Sequence, residues 1–300
     1  MWRAIGFNKQ KEIFKNLINN GELSHAYVFQ GPEQIGKKLF AQDVFTYANK
    51  LSEFNSHHPD LLVLSPKDTE GDISARLDET SSKRVSKQGT KIYIEDIRDL
   101  KTFLSLRPHT GPYQFVIIDD AHRLTPEASN AFLKILEEPS KQVVCLLITS
   151  QPQELLPTIS SRCQHISFLA QPDSVVSKSL SETKLSKTDQ DLIVALARGR
   201  VGWANKVANS GDIKDMKRAI NDFSRMLKSP IADKMIFAKI MYEKQPYQEE
   251  VNYWLAWAYA NRANLSNSHN ILTQLLSLNQ YINQPQYNHR SLLENTLINL

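Results

Sequence analysis

Cysteine is scarce in this chain: its 300 residues include only Cys145 and Cys163. Two thiols cannot build a disulfide framework or a zinc site with four thiolate ligands. Cys145 falls in the apolar run of residues 143–148, so we expect it to be a small core residue rather than a reactive thiol. The cysteine content therefore gives no support to a disulfide-stabilised or cysteine-based zinc fold.

Long hydrophobic runs and a strong charge of one sign are also missing. The longest unbroken apolar run covers residues 253–260, whereas a helix needs about 20 apolar residues to cross a bilayer. The first six residues show no apolar signal core, and we expect a cytoplasmic protein without a membrane partner. The formal net charge of +4, from 36 basic and 32 acidic residues, permits contact with nucleic acid without indicating it.

The first half of the sequence alternates short apolar runs with helical patterns. Residues 115–118 are almost continuously apolar, as in a parallel strand that is covered on both faces. Strands separated by helices predict right-handed crossovers and a doubly wound α/β sheet. The predicted strands are Ala26–Gln30, Leu61–Leu64 and residues 115–118, 143–148 and 165–169.

The second half has no strand pattern. After Pro172 the sequence predicts a few short helices, and from about Asp212 a wholly helical pattern that indicates a further domain. The aromatic residues within 253–259 have the spacing of helix packing in a core or interface, although they could also stack on bases. Residues 65–91 are polar and predict a mobile surface loop.

A phosphate-loop pattern follows the first predicted strand and leads into a helix, with the sequence Gly31-Pro32-Glu33-Gln34-Ile35-Gly36-Lys37-Lys38. In such a loop, backbone N–H groups and the helix N-terminus bind phosphate, and Lys37 would contact the β- and γ-phosphate oxygens. The next residue is normally Ser or Thr, whose hydroxyl binds Mg²⁺, but Lys38 has no acceptor. Gly31, Gly36 and Lys37 therefore form a degenerate nucleotide site, which either keeps its shape without a ligand or binds ATP weakly.

Two carboxylates end the third predicted strand. Asp119 and Asp120 lie where an NTPase holds its metal ion and polarises water. The second position is commonly Glu in an active ATPase, and Asp120 is one methylene shorter. The pair could instead cap a loop and stabilise neighbouring helix N-termini, and Lys38 favours this second interpretation.

Arg162 lies in the polar segment Ile159-Ser160-Ser161-Arg162-Cys163-Gln164. Its guanidinium is always charged and presents a rigid fork that suits phosphate oxygens. An arginine supplied by an adjacent subunit can neutralise the charge that develops on a γ-phosphate. The simpler interpretation of the residue alone is an ion pair within the chain.

Several short motifs occur together and in the order of one known family. They are Leu23-Ser24-His25-Ala26-Tyr27-Val28-Phe29, His58-Pro59-Asp60, Ile94-Glu95-Asp96-Ile97-Arg98, Leu104-Ser105-Leu106-Arg107-Pro108, Val116-Ile117-Ile118-Asp119-Asp120-Ala121-His122, Leu136-Glu137-Glu138-Pro139 and Ser161-Arg162-Cys163-Gln164. Over residues 23–168 the chain resembles the delta-prime subunits of the bacterial DNA polymerase III clamp loader, which belong to the AAA+ class. The helical second half is only thinly similar, apart from residues 288–300.

The resemblance implies an AAA+ core with a P-loop and a parallel five-stranded sheet at residues 1–170, a small helical lid at residues 171–210 and an all-helical collar at residues 211–300. The collar would join the gamma/tau and delta subunits in a ring that loads the sliding clamp onto primed DNA. Members of this kind hydrolyse little or no ATP. Their Ser-Arg-Cys arginine reaches the ATP site of the adjacent motor subunit, and the resemblance implies this arginine-finger role for Arg162.

The chain departs from the family pattern in ways that bear on cofactors. No Cys occurs in residues 48–57, where many members carry a four-cysteine zinc module, and adjacent His57 and His58 alone do not suggest a metal site, so we expect no zinc. In the lid turn Gly199-Arg200-Val201-Gly202, Gly202 stands at the place of the nucleotide-binding arginine of motor subunits, and Arg200 is out of register.

Together with Lys38, these departures argue against an ATP-hydrolysing gamma/tau-like motor subunit, which is the nearest competing interpretation. A self-sufficient AAA+ ATPase and an unrelated P-loop kinase or nucleotidase are two further possibilities. The ATPase requires Mg-ATP binding by the isolated chain. The kinase or nucleotidase requires a competent metal ligand in the place of Lys38.

Overall fold

The computed structural model describes residues 2–66, 91–139, 142–210, 212–244, 247–282, 284 and 286–300. The polar segment at residues 65–91 therefore lies almost entirely outside the described residues. The chain divides into two compact units, Met1–Gln171 and Pro172–Leu300. The predicted lid and collar both fall in the second unit, and the boundary between them at residue 210 stays a prediction.

The first unit is built on a parallel five-stranded sheet, which confirms the predicted fold class. The strand order across the sheet is β2-β3-β4-β1-β5, and every neighbouring pair is parallel. The strands are β1 (Ala26–Gln30), β2 (Leu61–Leu64), β3 (Gln114–Ile118), β4 (Val143–Thr149) and β5 (Gln164–Ser167).

The fifth strand ends earlier than the sequence pattern predicts. β5 stops at Ser167, and the next two residues have different surroundings. Phe168 is fully buried, and its ring packs against Phe7, Phe29 and Phe40 at centroid distances of 5.0–5.1 Å. Leu169 is 72% exposed, so this apolar residue does not extend the buried strand.

Both faces of the sheet are covered by helices. In β3, Phe115 and Ile117 belong to a core cluster on one face, and Val116 and Ile118 belong to a second cluster on the other face. This alternation explains why the whole strand reads as apolar. The helices of the first unit are α1 (Asn8–Asn20), α2 (Lys37–Ala48), α3 (Ile94–Leu104), α4 (Pro126–Glu137) and α5 (Pro157–Ser160).

Because the strands are parallel, all their carboxyl ends lie along one side of the sheet, the carboxyl edge. All their amino ends lie along the opposite side, the amino edge. Each segment that follows a strand leaves from the carboxyl edge, and each segment that precedes a strand enters at the amino edge. The phosphate loop after β1 and the aspartates after β3 therefore share the carboxyl edge. The turn between α5 and β5 lies at the amino edge.

The described residues of the second unit form helices joined by turns and loops, with no strand among them. Trp254 is fully buried, stacks on Phe223 at a centroid distance of 4.9 Å and donates its Nε1–H to the carbonyl of Ala219 at 3.0 Å. The predicted packing role of this aromatic segment is thereby confirmed. The helices are α6 (Asp173–Ser179), α7 (Lys187–Ala197), α8 (Val201–Ser210), α9 (Ile213–Met226), α10 (Ile231–Lys244), α11 (Gln248–Ala260), α12 (Ser268–Tyr281) and α13 (His289–Asn299).

Candidate functional site

The glycines of the phosphate loop allow sharp backbone geometry. Gly31 has a φ of 150°, and a Cβ at this position would lie 2.1 Å from the carbonyl oxygen of Phe168. Gly36 precedes the first turn of α2 with a φ of 107°. Ile35 between them is only 1% exposed and fills the core. The loop shape is therefore maintained by contacts within the protein, because Gly31 leaves room for the backbone of Phe168 and Ile35 packs in the core.

Lys37 is turned back onto its own loop. Its Nζ donates to the carbonyl oxygens of Gly31 and Pro32, both at 2.6 Å. Burial lowers the pKa of Lys37, and the nearby carboxylates of Glu33, Asp120 and Asp119 oppose this shift without reversing it. The ammonium that would contact phosphate oxygens is thus already bonded to two backbone carbonyls.

Lys38 forms an ion pair with the first carboxylate after β3. Its Nζ lies 2.9 Å from Oδ2 of Asp119, with the two side chains 45% and 23% exposed. In a working nucleotide site this place belongs to a loop hydroxyl, and the strand carboxylate faces Mg²⁺. An ammonium here repels a divalent cation and offers it no lone pair. The residues present do not fit a magnesium ion between the loop and β3.

Asp120 is close to the same edge but makes a different set of contacts. Burial, followed by the charge of Asp119, raises the pKa of the Asp120 carboxyl, while His122 and Arg123 oppose the shift. Asp120 has a φ of 49°, and its side chain makes no cap hydrogen bond to the short helix that follows within the described residues. Lys38 pairs with Asp119, and the charges of Asp119 and Asp120 act on Lys37, so the structure brings these four residues together as one cluster.

Thr149 was not singled out by the sequence pattern, although it belongs to the same edge. It is the last residue of β4 and is fully buried. Its Oγ1 lies 3.2 Å from Nδ1 of His122 and accepts a hydrogen bond from the amide of Gln151 at 3.0 Å. A polar residue at the carboxyl end of a strand beside the phosphate-loop strand is the signal that could have identified it.

Arg162 lies in the turn between α5 and β5 and has partners within the chain. Its two terminal nitrogens donate to the carbonyl oxygen of Thr158 at 3.0 Å and to Oε1 of Glu137 at 2.9 Å. The side chains of Arg162 and Glu137 are 37% and 51% exposed. An ion pair this exposed contributes about 0–1 kcal/mol to stability. Stabilisation of the fold therefore does not explain well why an arginine stands at this position.

The structure does not bring Arg162 to the phosphate loop. Gln164, at the start of β5, pairs with Tyr27 of β1. Gly31 lies four residues beyond Tyr27, which is roughly 13 Å along the strand at about 3.3 Å per residue. Arg162 precedes Gln164 at the opposite edge of the sheet. Its guanidinium therefore serves a different surface from that of Lys37 and Lys38.

The buried carboxylate of Asp60 organises another part of the amino edge. It accepts hydrogen bonds from the backbone amides of His109, Thr110 and Gly111 at 2.5, 2.8 and 3.1 Å and from the Thr110 hydroxyl at 3.0 Å. Burial alone raises the pKa of Asp60, but these hydrogen bonds lower it by more, so the net direction is downward. The His-Pro-Asp motif thus anchors the chain that enters β3.

Arg200 of the predicted lid turn faces a helix end in its own unit. Its Nε and one terminal nitrogen donate to the carbonyls of Ala197 and Leu196, at the C-terminus of α7, at 2.9 and 3.3 Å. A cation at that end of a helix is favoured by the helix dipole. Gly202 is the second residue of α8 and supplies no side chain for a nucleotide.

Neither a metal cluster nor a membrane span is found in the part of the chain that the structure describes. There, no group of three or more His, Cys, Asp and Glu side chains could hold a metal ion, and no helix is long and apolar enough to cross a bilayer. Burial raises the pKa of the Cys145 thiol and of the Cys163 thiol to about 12, which disfavours the reactive thiolate form of both. The expectation of no zinc stays a prediction.

Comparison with known proteins places these features in a family. Residues 6–172 match the family described as DNA polymerase III, delta subunit. The delta-prime subunit of DNA polymerase III from Pseudomonas aeruginosa is 27% identical over 243 residues, which cover 74% of this chain and 67% of that protein. The tau subunit from Bacillus subtilis is 34% identical over 166 residues, covering 55% of this chain and 28% of that one.

The fold has a counterpart among solved structures. A DNA polymerase III gamma subunit-related protein from Thermotoga maritima superposes with a TM-score of 0.56 at 20% identity, covering 95% of this chain and 97% of that protein. At this identity the similarity concerns the fold, which is that of AAA+ proteins. The chain spans between 26% and 67% of the lengths of the curated relatives it matches first.

Proposed function

Because the chain belongs to the DNA polymerase III delta subunit family, we propose that it is a delta-prime-like, non-motor subunit of a clamp loader. It helps to load the sliding clamp onto primed DNA in the cytoplasm. It contributes to ATP hydrolysis by supplying Arg162 to the nucleotide of a neighbouring subunit, and it has no ATPase cycle of its own.

The lysines and aspartates at the carboxyl edge support the non-motor role. Lys38 lies 2.9 Å from Asp119, where an active site needs a hydroxyl and a metal ion. The Lys37 ammonium is bonded to the carbonyls of Gly31 and Pro32. Binding of Mg-ATP would have to break both arrangements and would gain no hydroxyl ligand in return.

The position of Arg162 is the observation that carries the proposal. It is partly exposed, charged and held at the amino edge of the sheet, away from its own phosphate loop. A guanidinium in that place is suited to the phosphates of another molecule. An arginine that completes a neighbour's site stabilises the charge that develops during phosphoryl transfer.

Assembly with gamma/tau and delta subunits is supported by exposed apolar side chains on one helix of the predicted collar. In α10, the side chains of Ile231, Met235, Ile236 and Ile240 are 45–59% exposed. Exposed apolar side chains that cluster on a protein surface are typical of interaction sites. We propose that these side chains are covered in the loader, and that contact with the clamp and with DNA occurs through the assembled ring.

Replacing Arg162 by Ala tests the proposal. The variant is expected to fold and to assemble with the other loader subunits, because the lost surface ion pair contributes about 0–1 kcal/mol. The DNA-stimulated ATPase rate of the reconstituted loader is expected to decrease by the contribution of the neighbouring subunit's ATP site that Arg162 completes. Arg98→Ala is the matched control, since Arg98 is an exposed arginine of the same unit that also pairs with a glutamate, Glu95. An ATPase rate equal to wild type in the Arg162→Ala loader would refute the proposal.

A self-sufficient ATPase is the second candidate, and the 34% identity to a tau subunit is the observation in its favour. It requires micromolar binding of Mg-ATP by the isolated chain and loss of that binding in Lys37→Ala. Isothermal titration calorimetry separates the candidates. Heat of binding in the wild-type chain that disappears in Lys37→Ala would favour the motor role, whereas its absence at high protein concentration rejects it.

A further inference from the structure

The ion pair of Arg162 gives a role to Glu137, the last residue of α4. We propose that Glu137 is a positioning residue, which holds the guanidinium of Arg162 in the direction of the neighbouring subunit's phosphates. This inference rests on the proposed function of Arg162. It adds a second residue to the contribution that the chain makes to that neighbour's site.

The turn that carries Arg162 is rigid at its base. Ile159 is fully buried in the core, and Cys163 is partly buried and packs against the same core cluster. The amide of Arg162 donates to the carbonyl of Ile159 at 3.1 Å, and the amide of Cys163 donates to the carbonyl of Ser160 at 3.2 Å. Anchors on both sides of Arg162 leave its side chain as the movable part of the turn.

Glu137 approaches from an independent rigid element. α4 is capped at its N-terminus by Thr125, whose hydroxyl accepts a hydrogen bond from the amide of Ala128 at 3.2 Å, and the helix packs through Phe132 and Leu136. The final residue of a helix anchored in this way has a defined position. Two fixed elements therefore meet at one guanidinium, which is the arrangement that preorganises a functional side chain.

The geometry favours holding over masking. Within the described residues, one terminal nitrogen of Arg162 bonds to Thr158 and the other to Glu137, and the planar fork has further N–H donors for phosphate oxygens. Because both side chains are more than a third exposed, water screens the negative charge of Glu137. The hydrogen bonds nevertheless keep their directional preference.

The test is Glu137→Ala in the reconstituted loader, with Glu138→Ala as the matched control. Glu138 is adjacent and exposed, and it carries the same charge without a hydrogen bond to Arg162 among the described residues. Glu137→Ala is expected to lower, by about two- to fivefold, the part of kcat that depends on Arg162. The KM for ATP, subunit assembly and thermal midpoint should stay at wild-type values.

Two further variants separate positioning from a structural role. Glu137→Gln keeps an acceptor oxygen and should recover part of the lost kcat. In an Arg162→Ala background, Glu137→Ala should have no additional effect, because residues that act through one another are not additive.

The outcomes distinguish this inference from the proposed function. If Arg162→Ala lowers the ATPase and Glu137→Ala leaves kcat unchanged or raises it, Glu137 does not position the arginine and the inference is wrong. If Arg162→Ala itself has no effect on the ATPase rate, the proposed function is wrong, and the inference that rests on it is wrong as well. A Glu137→Ala defect that persists in the Arg162→Ala background would also overturn the inference.

Discussion

Replacing Asp60 by Asn is expected to destabilise the first unit by roughly 4–6 kcal/mol. The Asp60 carboxylate is fully buried and accepts four hydrogen bonds, of which one reaches Oδ1 and three reach Oδ2. An Asn side chain can keep the three bonds on its remaining oxygen, but its NH₂ group then faces the amide of His109. That amide loses its partner, which costs about 1–3 kcal/mol, and the other bonds lose about 1 kcal/mol each because their acceptor is no longer charged.

Thermal unfolding of the full chain measures this effect. For a unit of this size, about 4–6 kcal/mol corresponds to a decrease of roughly 8–24 °C in the transition of the first unit, followed by scanning calorimetry. Glu53→Gln is the matched control, because Glu53 is exposed in the same segment and undergoes the same change of charge. An Asp60→Asn midpoint within about 2 °C of the control would refute the reasoning.

The pH dependence of the same variant gives an independent check. The hydrogen bonds lower the folded-state pKa of Asp60 below its usual value. The carboxylate therefore contributes stability above the unfolded pKa of about 3.9, and this contribution is lost as pH falls through the folded-state pKa. The difference between wild type and Asp60→Asn should be full at pH 7 and should shrink below about pH 4. A difference that is constant over this range would contradict the assignment.

The remaining predictions concern the phosphate loop. Gly31→Ala is expected to cost about 1–3 kcal/mol more than Gly21→Ala in urea unfolding without nucleotide, since both glycines have positive φ but a Cβ meets a backbone carbonyl only at Gly31. Equal costs would show that packing does not require Gly31. Lys38→Thr should gain Mg-ATP binding by calorimetry, because it removes the ammonium beside Asp119 and supplies a hydroxyl. If heat of binding stays absent, the bonds of Lys37 rather than Lys38 close the site.

The strands of the first unit could be predicted because their signal is local. The burial of β3 on both faces leaves almost every residue apolar, and a run of this kind is visible in any window of the sequence. The end of β5 could not be placed, because Phe168 and Leu169 are both apolar in sequence. Only the packing of the Phe168 ring distinguishes the buried residue from the exposed one.

The candidate site was only partly predictable. The loop pattern located Lys37, and the strand end located Asp119, because glycine spacing and chain order are properties of the sequence. The hydroxyl missing at Lys38 was also evident. The sequence did not show that Lys38 pairs with Asp119, since these residues are far apart in the chain and meet only when β1 and β3 lie in one sheet.

The sequence alone determined the apolar periodicity, the degenerate loop chemistry and the presence of Arg162. The tertiary structure decided which charges meet: Lys38 with Asp119, Glu137 with Arg162 and Asp60 with the backbone near Thr110. It also placed Arg162 and the phosphate loop at opposite edges of the sheet. The physical reason is that strand order and strand direction set these distances, and a local pattern of side chains encodes neither.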